Sequence, residues 1–292
     1  MSDRKQLLPV LVLAVLSLIW GTSFILIKQG LRSFSPDEVG ALRVTAAACF
    51  LLPIVLVRYR EVPFSVLKKL FIAGIMGTFI PAFLFATAQT QLDSSVTGIL
   101  NSLSPLFTMI MGAAFFGQHF KGYAIVGVFV GLAGSVLLML AGSGWNISGI
   151  NSYALLVVAA CALYGSNLNF IKYRIPGLNP VTLTATALVL IGPLAAAYLF
   201  GVSEFTYKLQ TVDGAWYSFG LIVLLAFMST ALATMLFTWL VQRTSPLFAS
   251  SVTYLMPVVS VLWGVWDGEQ LHVGHFAGMA LILSGVWIAN RK

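Results

Sequence analysis

Charge is what this sequence has least of. Only 9% of its 292 residues are Asp, Glu, Lys or Arg, where a water-soluble domain carries roughly a quarter, so there is too little charge to cover a soluble surface. Lys and Arg (16) outnumber Asp and Glu (9), yet no basic cluster is longer than the pairs Arg4-Lys5, Lys68-Lys69 and Arg291-Lys292. Without a basic stripe, nucleic acid is excluded as a partner. The two cysteines, Cys49 and Cys161, both lie inside apolar runs, which excludes a disulfide framework and a multi-Cys metal site. No Asp, Glu or His falls at the centre of an apolar stretch, since His119, His272 and His275 all sit at stretch ends. A membrane enzyme would need paired carboxylates for Mg²⁺ and phosphate, a His/Glu metal set or an activated nucleophile. None of these is present, so no catalytic residue, cofactor or metal is expected. Proton relays through intramembrane acids or histidines are likewise disfavoured unless Asp93 or Glu38 occupies a vestibule, and a facilitator or substrate-gradient exporter fits better.

What the chain has in abundance is apolar length: 59% of its residues are hydrophobic, 26 are glycine, and the mean hydropathy is +0.95. A bilayer core of about 30 Å takes about 20 apolar residues per helix. Candidate stretches begin near residues 8, 36, 66, 93, 120, 151, 180, 216, 246 and 273, which predicts an all-α integral membrane protein with ten transmembrane helices and only short connections. The first stretch runs from Leu7 to Ile27, too long for a signal-peptide h-region and without a small-residue cleavage site, and is expected to remain as a helix. Positive charge is retained on the cytoplasmic side. With the N-terminus inside, Arg4, Lys5, Arg58, Arg60, Lys68, Lys69, Lys121, Lys172, Arg174, Arg243, Arg291 and Lys292 are all internal, 12 of the 16. Both termini are therefore expected in the cytoplasm.

The two halves of the chain match each other. Ile19-Trp20-Gly21-Thr22-Ser23 to Lys28 aligns with Leu163-Tyr164-Gly165-Ser166-Asn167 to Lys172, and Pro36, Pro53, Pro105 and Gly122 align with Pro180, Pro193, Pro257 and Gly274. Five spans per half is an odd number, so the second half enters the membrane from the opposite side, giving two inverted five-helix repeats, residues 1–145 and 146–292. The run Trp20-Gly21-Thr22-Ser23-Phe24, Arg43 in the second span, Pro105 and Pro257, and Gly268-Glu269 together resemble the EamA family of the drug/metabolite transporter superfamily over essentially the whole chain. The resemblance implies an exporter of small metabolites, amino acids or drugs with a central cavity between the halves, in a bacterial inner membrane. Gly117-Gln118 stands where the family often has Gly-Glu.

Candidate site residues follow from polarity at midspan. Ser94, Thr97, Asn101, Ser104 and Thr108 recur at 3-4-3-4 spacing on one face of the fourth span. That face lines either a cavity or another helix. Pro105 removes a backbone donor and leaves the Asn101 carbonyl unbonded within the helix; Pro257 does the same for Thr253. Paired helix breaks in corresponding positions point to a transporter site, with packing kinks as the alternative. Aromatic residues cluster at the same depth: Trp20, Phe79, Phe83, Tyr164, Trp239 and Tyr254, as substrate contacts or as core. Thr22 and Ser23 flank Trp20, and Asn167 is one turn from Tyr164. Arg43 in a span costs at least about 2.5 to 3.5 kcal/mol and needs a partner: a substrate carboxylate, a breakable ion pair, Glu38, or the outer surface by snorkelling. Gly127-xxx-Gly131 and Gly274-xxx-Gly278, with Gly134 and Gly285, predict that the fifth and tenth spans pack closely on each other, with homodimerisation the rival use.

The expected function is alternating-access transport of a small amphipathic metabolite, such as an amino acid, through a cavity lined by spans 1, 3, 4, 6, 8 and 9. A multidrug or heterocycle exporter and a non-transporting membrane scaffold are the alternatives. Expected partners are the small-molecule substrate and membrane lipids, with a monomer favoured over a homodimer.

Overall fold

A computed structural model describes residues 2–92, 94–142, 152–266 and 273–291. Asp93, Asp267, Gly268-Glu269, His272, Lys292 and the junction between residues 145 and 146 lie outside the described residues, as do the side chains of Arg4, Lys5 and Ser94.

Every described element is a helix or a turn, with no strand among the described residues. In chain order these are helix 1 (Ser2–Gly30), helix 2 (Pro36–Arg58), helix 3 (Phe64–Ala88), helix 4 (Ser94–Asn101 and Ser104–Phe116), helix 5 (Gly122–Gly142), helix 6 (Ala154–Arg174), helix 7 (Pro180–Gly201), helix 8 (Ala215–Arg243), helix 9 (Pro246–Ser250 and Val252–Trp266) and helix 10 (Val273–Ala289). Helices 1, 2, 3, 4, 6, 7 and 8 are long and apolar enough to cross a membrane. Shorter apolar stretches lie at Gly122–Leu138, Pro246–Val259 and Val273–Ala289. A short helix, Phe205–Thr211, links helices 7 and 8.

The helix starts are written locally. Ser35 and Glu38 form a capping box ahead of helix 2, in which the Ser35 amide donates to Glu38 Oε2 (2.7 Å) and the Glu38 amide donates to Ser35 Oγ (3.3 Å). Asn179 caps helix 7 by accepting from the Val181 amide at 2.9 Å, and Ser245 caps helix 9 by accepting from the Phe248 amide at 3.1 Å. Pro36, Pro180 and Pro246 each occupy the first turn, where the missing N–H costs nothing.

Outward faces stay apolar. Helix 1 exposes Leu7, Leu11, Val15, Leu18 and Ile25, a lipid-facing stripe at helical spacing. Inward, helix 2 packs along helix 7, and helix 5 along helix 10. The second pairing is a glycine seam. A Cβ on Gly285 would stand 2.3 Å from the Gly131 nitrogen, and one on Gly127 would meet the Ala289 backbone. The predicted contact between helices 5 and 10 is therefore present, and these glycines are used inside the molecule.

Helices 3 and 8 each carry a π segment, Ile75–Phe79 and Ala226–Leu232. Helix 4 breaks at Ser102 and Leu103, just before Pro105, and helix 9 breaks at Ser251. Pro257 itself sits within the continuous helix Val252–Trp266, so the break in helix 9 precedes the proline by more than a turn.

Candidate functional site

Helices 1, 2, 3, 4, 6, 8 and 9 surround a cavity that is partly open to solvent. Its wall is assembled where the helices depart from regular geometry. The π segments supply Gly77, Thr78, Ser229 and Thr230, and the broken helices 4 and 9 supply Asn101, Ser104, Ser250 and Thr253. A π turn widens the backbone spiral and is frequent at functional sites.

The aromatic-glycine pairs at the start of each half have a common geometry. Trp20 lines the cavity while Gly21 lets helix 9 come close, with Val259 Cβ 2.9 Å from a would-be Cβ. Tyr164 lines the cavity while Gly165 admits the helix 4 backbone at Phe107 and Thr108, 2.6 Å from a would-be Cβ. Each pair presents a ring inward and a bare backbone to a crossing helix.

Trp20 donates from Nε1 to the Ser229 carbonyl at 3.0 Å, an acceptor inside the π segment of helix 8, and its ring meets Phe237 edge-on at 4.8 Å. Ser23 Oγ donates to Ser229 Oγ at 2.9 Å. Arg43 donates from Nε to Thr230 Oγ1 at 2.6 Å and from Nη2 to Ser229 Oγ at 3.5 Å. No carboxylate pairs with Arg43 among the described residues. Glu38, a candidate partner by spacing, is buried and instead accepts from Lys208 Nζ at 2.9 Å. Tyr164 stacks on Phe85 with ring centres 5.9 Å apart, and it lies within electrostatic range of Arg43. Asn101 is buried, with Oδ1 accepting from Ser104 Oγ at 3.2 Å and Nδ2 reaching Met256 Sδ at 3.7 Å. Asn167 is 9% exposed, and its Oδ1 has no hydrogen-bond partner.

Both proline-released carbonyls are already engaged. The Asn101 carbonyl accepts from Ser104 Oγ at 2.8 Å, and the Thr253 carbonyl accepts from Ser102 Oγ at 3.2 Å. The second bond ties the break in helix 4 to helix 9.

Of the residues singled out from sequence, Trp20, Ser23, Arg43, Asn101, Ser104, Tyr164 and Asn167 line the cavity together. Five others lie elsewhere. Thr22 bonds back to the Leu18 carbonyl at 2.8 Å. Phe79 and Phe83 pack on each other at 5.0 Å, in the core between helices 2 and 7. Trp239 packs in a second core with Leu240 and Val241. Tyr254 is fully buried and donates to the Val128 carbonyl of helix 5 at 2.8 Å. In the helix 4 stripe, Thr97 and Thr108 are buried in packing, and among the described side chains Asn101 and Ser104 reach the cavity. Among the lining residues not singled out beforehand, helix 8 supplies the largest group. Thr230, Thr234 and Thr238 recur every four residues, a periodicity as readable as that of helix 4.

Membrane-length helices, an apolar outer surface and an internal cavity of mixed apolar and hydroxyl lining are the features of a polytopic membrane transporter. The EamA-like transporter family profile matches residues 7–140 and again residues 151–291. The chain belongs to that family. It is 28% identical to an uncharacterized inner membrane transporter, YedA, of Escherichia coli K12, covering 97% of this chain and 90% of the relative. It is 26% identical to a protein of Salmonella typhimurium LT2 named a probable amino-acid metabolite efflux pump, covering 99% and 95%. A crystal structure with 20% sequence identity superposes with a TM-score of 0.71 over 97% of this chain and 96% of its own, which shows the fold.

Proposed function

We propose that the protein exports small amphipathic metabolites that carry a carboxylate by alternating access around this cavity. The observation that carries the reading is Arg43: a guanidinium on the cavity wall, held by two neutral hydroxyls and facing no carboxylate among the described residues. Arginine keeps several donors in a planar fork that matches a carboxylate. The Tyr164–Phe85 stack and Trp20 give apolar faces for a flat body, and Asn101 and Asn167 give neutral polar groups, the composition of a small-molecule pocket.

The arrangement of the cavity supports two inverted five-helix repeats, residues 1–145 and 146–292, that together span the membrane ten times. Separate family matches to each half support it, as does the pairing of like with like: helix 2 with helix 7, helix 5 with helix 10, and π segments in helices 3 and 8. The Lys and Arg distribution supports a cytoplasmic position for both termini, and the inner membrane relative supports a bacterial inner membrane. The working unit is a monomer, because the glycine seams are used between its own helices.

The test is transport by purified protein in vesicles loaded in turn with labelled phenylalanine and labelled N-acetylphenylalanine. Trp20→Ala and Asn101→Leu should each lower the rate at least tenfold while the thermal unfolding transition moves little. Trp239→Phe, off the cavity, should leave the rate near wild type. Wild-type rates in both cavity variants would reassign the polar stripe of helix 4 to helix packing.

A further inference from the structure

The cavity has a one-sided charge inventory. Among its described lining residues Arg43 is the only charged group, with no Asp, Glu, Lys or His beside it. Two of its five N–H donors are engaged, by Thr230 and Ser229, both neutral. The Tyr164 hydroxyl, within electrostatic range of the guanidinium, has no protein hydrogen-bond partner among the described residues and adds a further donor to the same region. A carboxylate there would gain a forked pair of charge-assisted bonds and remove an uncompensated positive charge from the membrane interior.

The provision for a substrate ammonium is the reverse. An –NH₃⁺ group brings three donors and needs acceptors, and three backbone acceptors beside the helix irregularities already hold a donor. The Ser229 carbonyl takes the Trp20 indole N–H (3.0 Å), the Asn101 carbonyl takes Ser104 (2.8 Å), and the Thr253 carbonyl takes Ser102 (3.2 Å). Among the described lining residues, the unpartnered buried oxygen is Asn167 Oδ1, one neutral acceptor on a group that suits an amide or hydroxyl better than a cation. A second positive charge near Arg43 would also be repelled more strongly than in water.

We infer that the cavity takes its substrate as a monoanion, a carboxylate with a planar apolar body and no free ammonium, such as an aryl-alkanoate or an N-acylated aromatic amino acid, and that its export is electrogenic. This inference rests on the reading of the cavity as the substrate site. One negative charge leaves the cell per cycle, whichever step carries it. An inside-negative potential of 100 mV then drives an outward gradient of about 50-fold with no second ion, from the work of moving one charge across the membrane.

A matched series built on one phenyl body tests it in reconstituted vesicles: 3-phenylpropionate and N-acetylphenylalanine as monoanions, phenylalanine as zwitterion and phenethylamine as cation. The monoanions should compete for transport at concentrations at least tenfold below phenylalanine, with phenethylamine ineffective, and Arg43→Gln should abolish the difference. A potassium diffusion potential set with valinomycin, negative on the loaded side, should accelerate efflux of labelled 3-phenylpropionate several-fold. If phenylalanine or phenethylamine competes as well as the monoanions, or the efflux ignores the potential, the inference falls while the cavity keeps its role. If Trp20→Ala and Asn101→Leu leave transport of the whole series untouched, the cavity reading and the inference fall together.

Discussion

Asn167 and Asn169 differ by two positions and by everything that matters for a side chain amide. Asn169 Nδ2 donates to the Thr108 carbonyl at 2.9 Å and to the Gly165 carbonyl at 2.8 Å, pinning helix 6 to helix 4. Asn167 lines the cavity with its oxygen unpartnered, which is a cost to the empty protein. Asn169→Leu should therefore lower the unfolding temperature, by the loss of two interhelical or backbone bonds worth about 0.6 to 1 kcal/mol each in a membrane. Asn167→Leu should leave stability unchanged or raised and weaken substrate binding about tenfold, roughly 1.4 kcal/mol. Thermal unfolding and the apparent KM of the two variants separate these outcomes, and a drop in stability with normal KM for Asn167→Leu would make it a packing residue. Tyr254 belongs with Asn169. Its midspan phenol is spoken for by the Val128 carbonyl, so Tyr254→Phe should destabilise by about 1 kcal/mol and leave KM alone. Sequence position identifies which polar groups are at midspan, but it does not say which find backbone partners. That depends on crossing helices from the other half of the chain.

Elements were legible where a regular period or a cap wrote them, and misleading where a helix changed pitch. The fifth and tenth spans announced their contact through glycines at four-residue spacing, and the seam is so close that one methyl should break it. Gly285→Ala places a carbon 2.3 Å from the Gly131 nitrogen. Backbone cannot move aside as a flexible side chain does, and overpacking of this kind costs about 1 to 3 kcal/mol. Gly201→Ala, at a helix end with no atom within 4 Å of the added carbon, should be neutral. Equal melting temperatures for the two variants would remove the seam as a stabilising element. The aromatics were misplaced for a related reason. An α-helix advances by about 100° per residue, so the extra residue of a π turn rotates every downstream side chain by about that much. Phe79 and Phe83 lie in and just after the π segment of helix 3, and Trp239 lies after that of helix 8. Depth alone picked them out, and across a change of pitch a straight 3.6-residue count does not say which face they occupy. In the protein, Thr78, Phe85 and Phe237 take those places.

At the scale of the whole molecule, charge and apolarity divide the labour of orientation. The aliphatic faces of helices 1, 2, 5 and 7 meet lipid without preference for either leaflet, so the sidedness rests on the few cations left over. Lys172 shows how tightly one of them is held, since its Nζ donates to the Gln242 carbonyl at 2.8 Å and the Thr244 carbonyl at 2.7 Å where helix 8 ends. Lys69 reaches the Arg174 carbonyl at 3.1 Å at the same end of the bundle. The end that gathers Lys69, Lys172, Arg174 and Arg243 is the one that the positive-inside rule assigns to the cytoplasm, and the end that carries the Glu38–Lys208 pair is its opposite. A single probe at each end settles the sign. With Cys49 and Cys161 replaced by alanine, Ser2→Cys should be protected from a membrane-impermeant thiol reagent in intact cells and become reactive only when the membrane is opened, whereas Asp213→Cys, between the short linking helix and helix 8, should react at once. Equal reactivity of the two positions in intact cells would mean that the termini and the helix 7–8 connection share one side, a result incompatible with an odd number of crossings between them and hence with the proposed inverted halves.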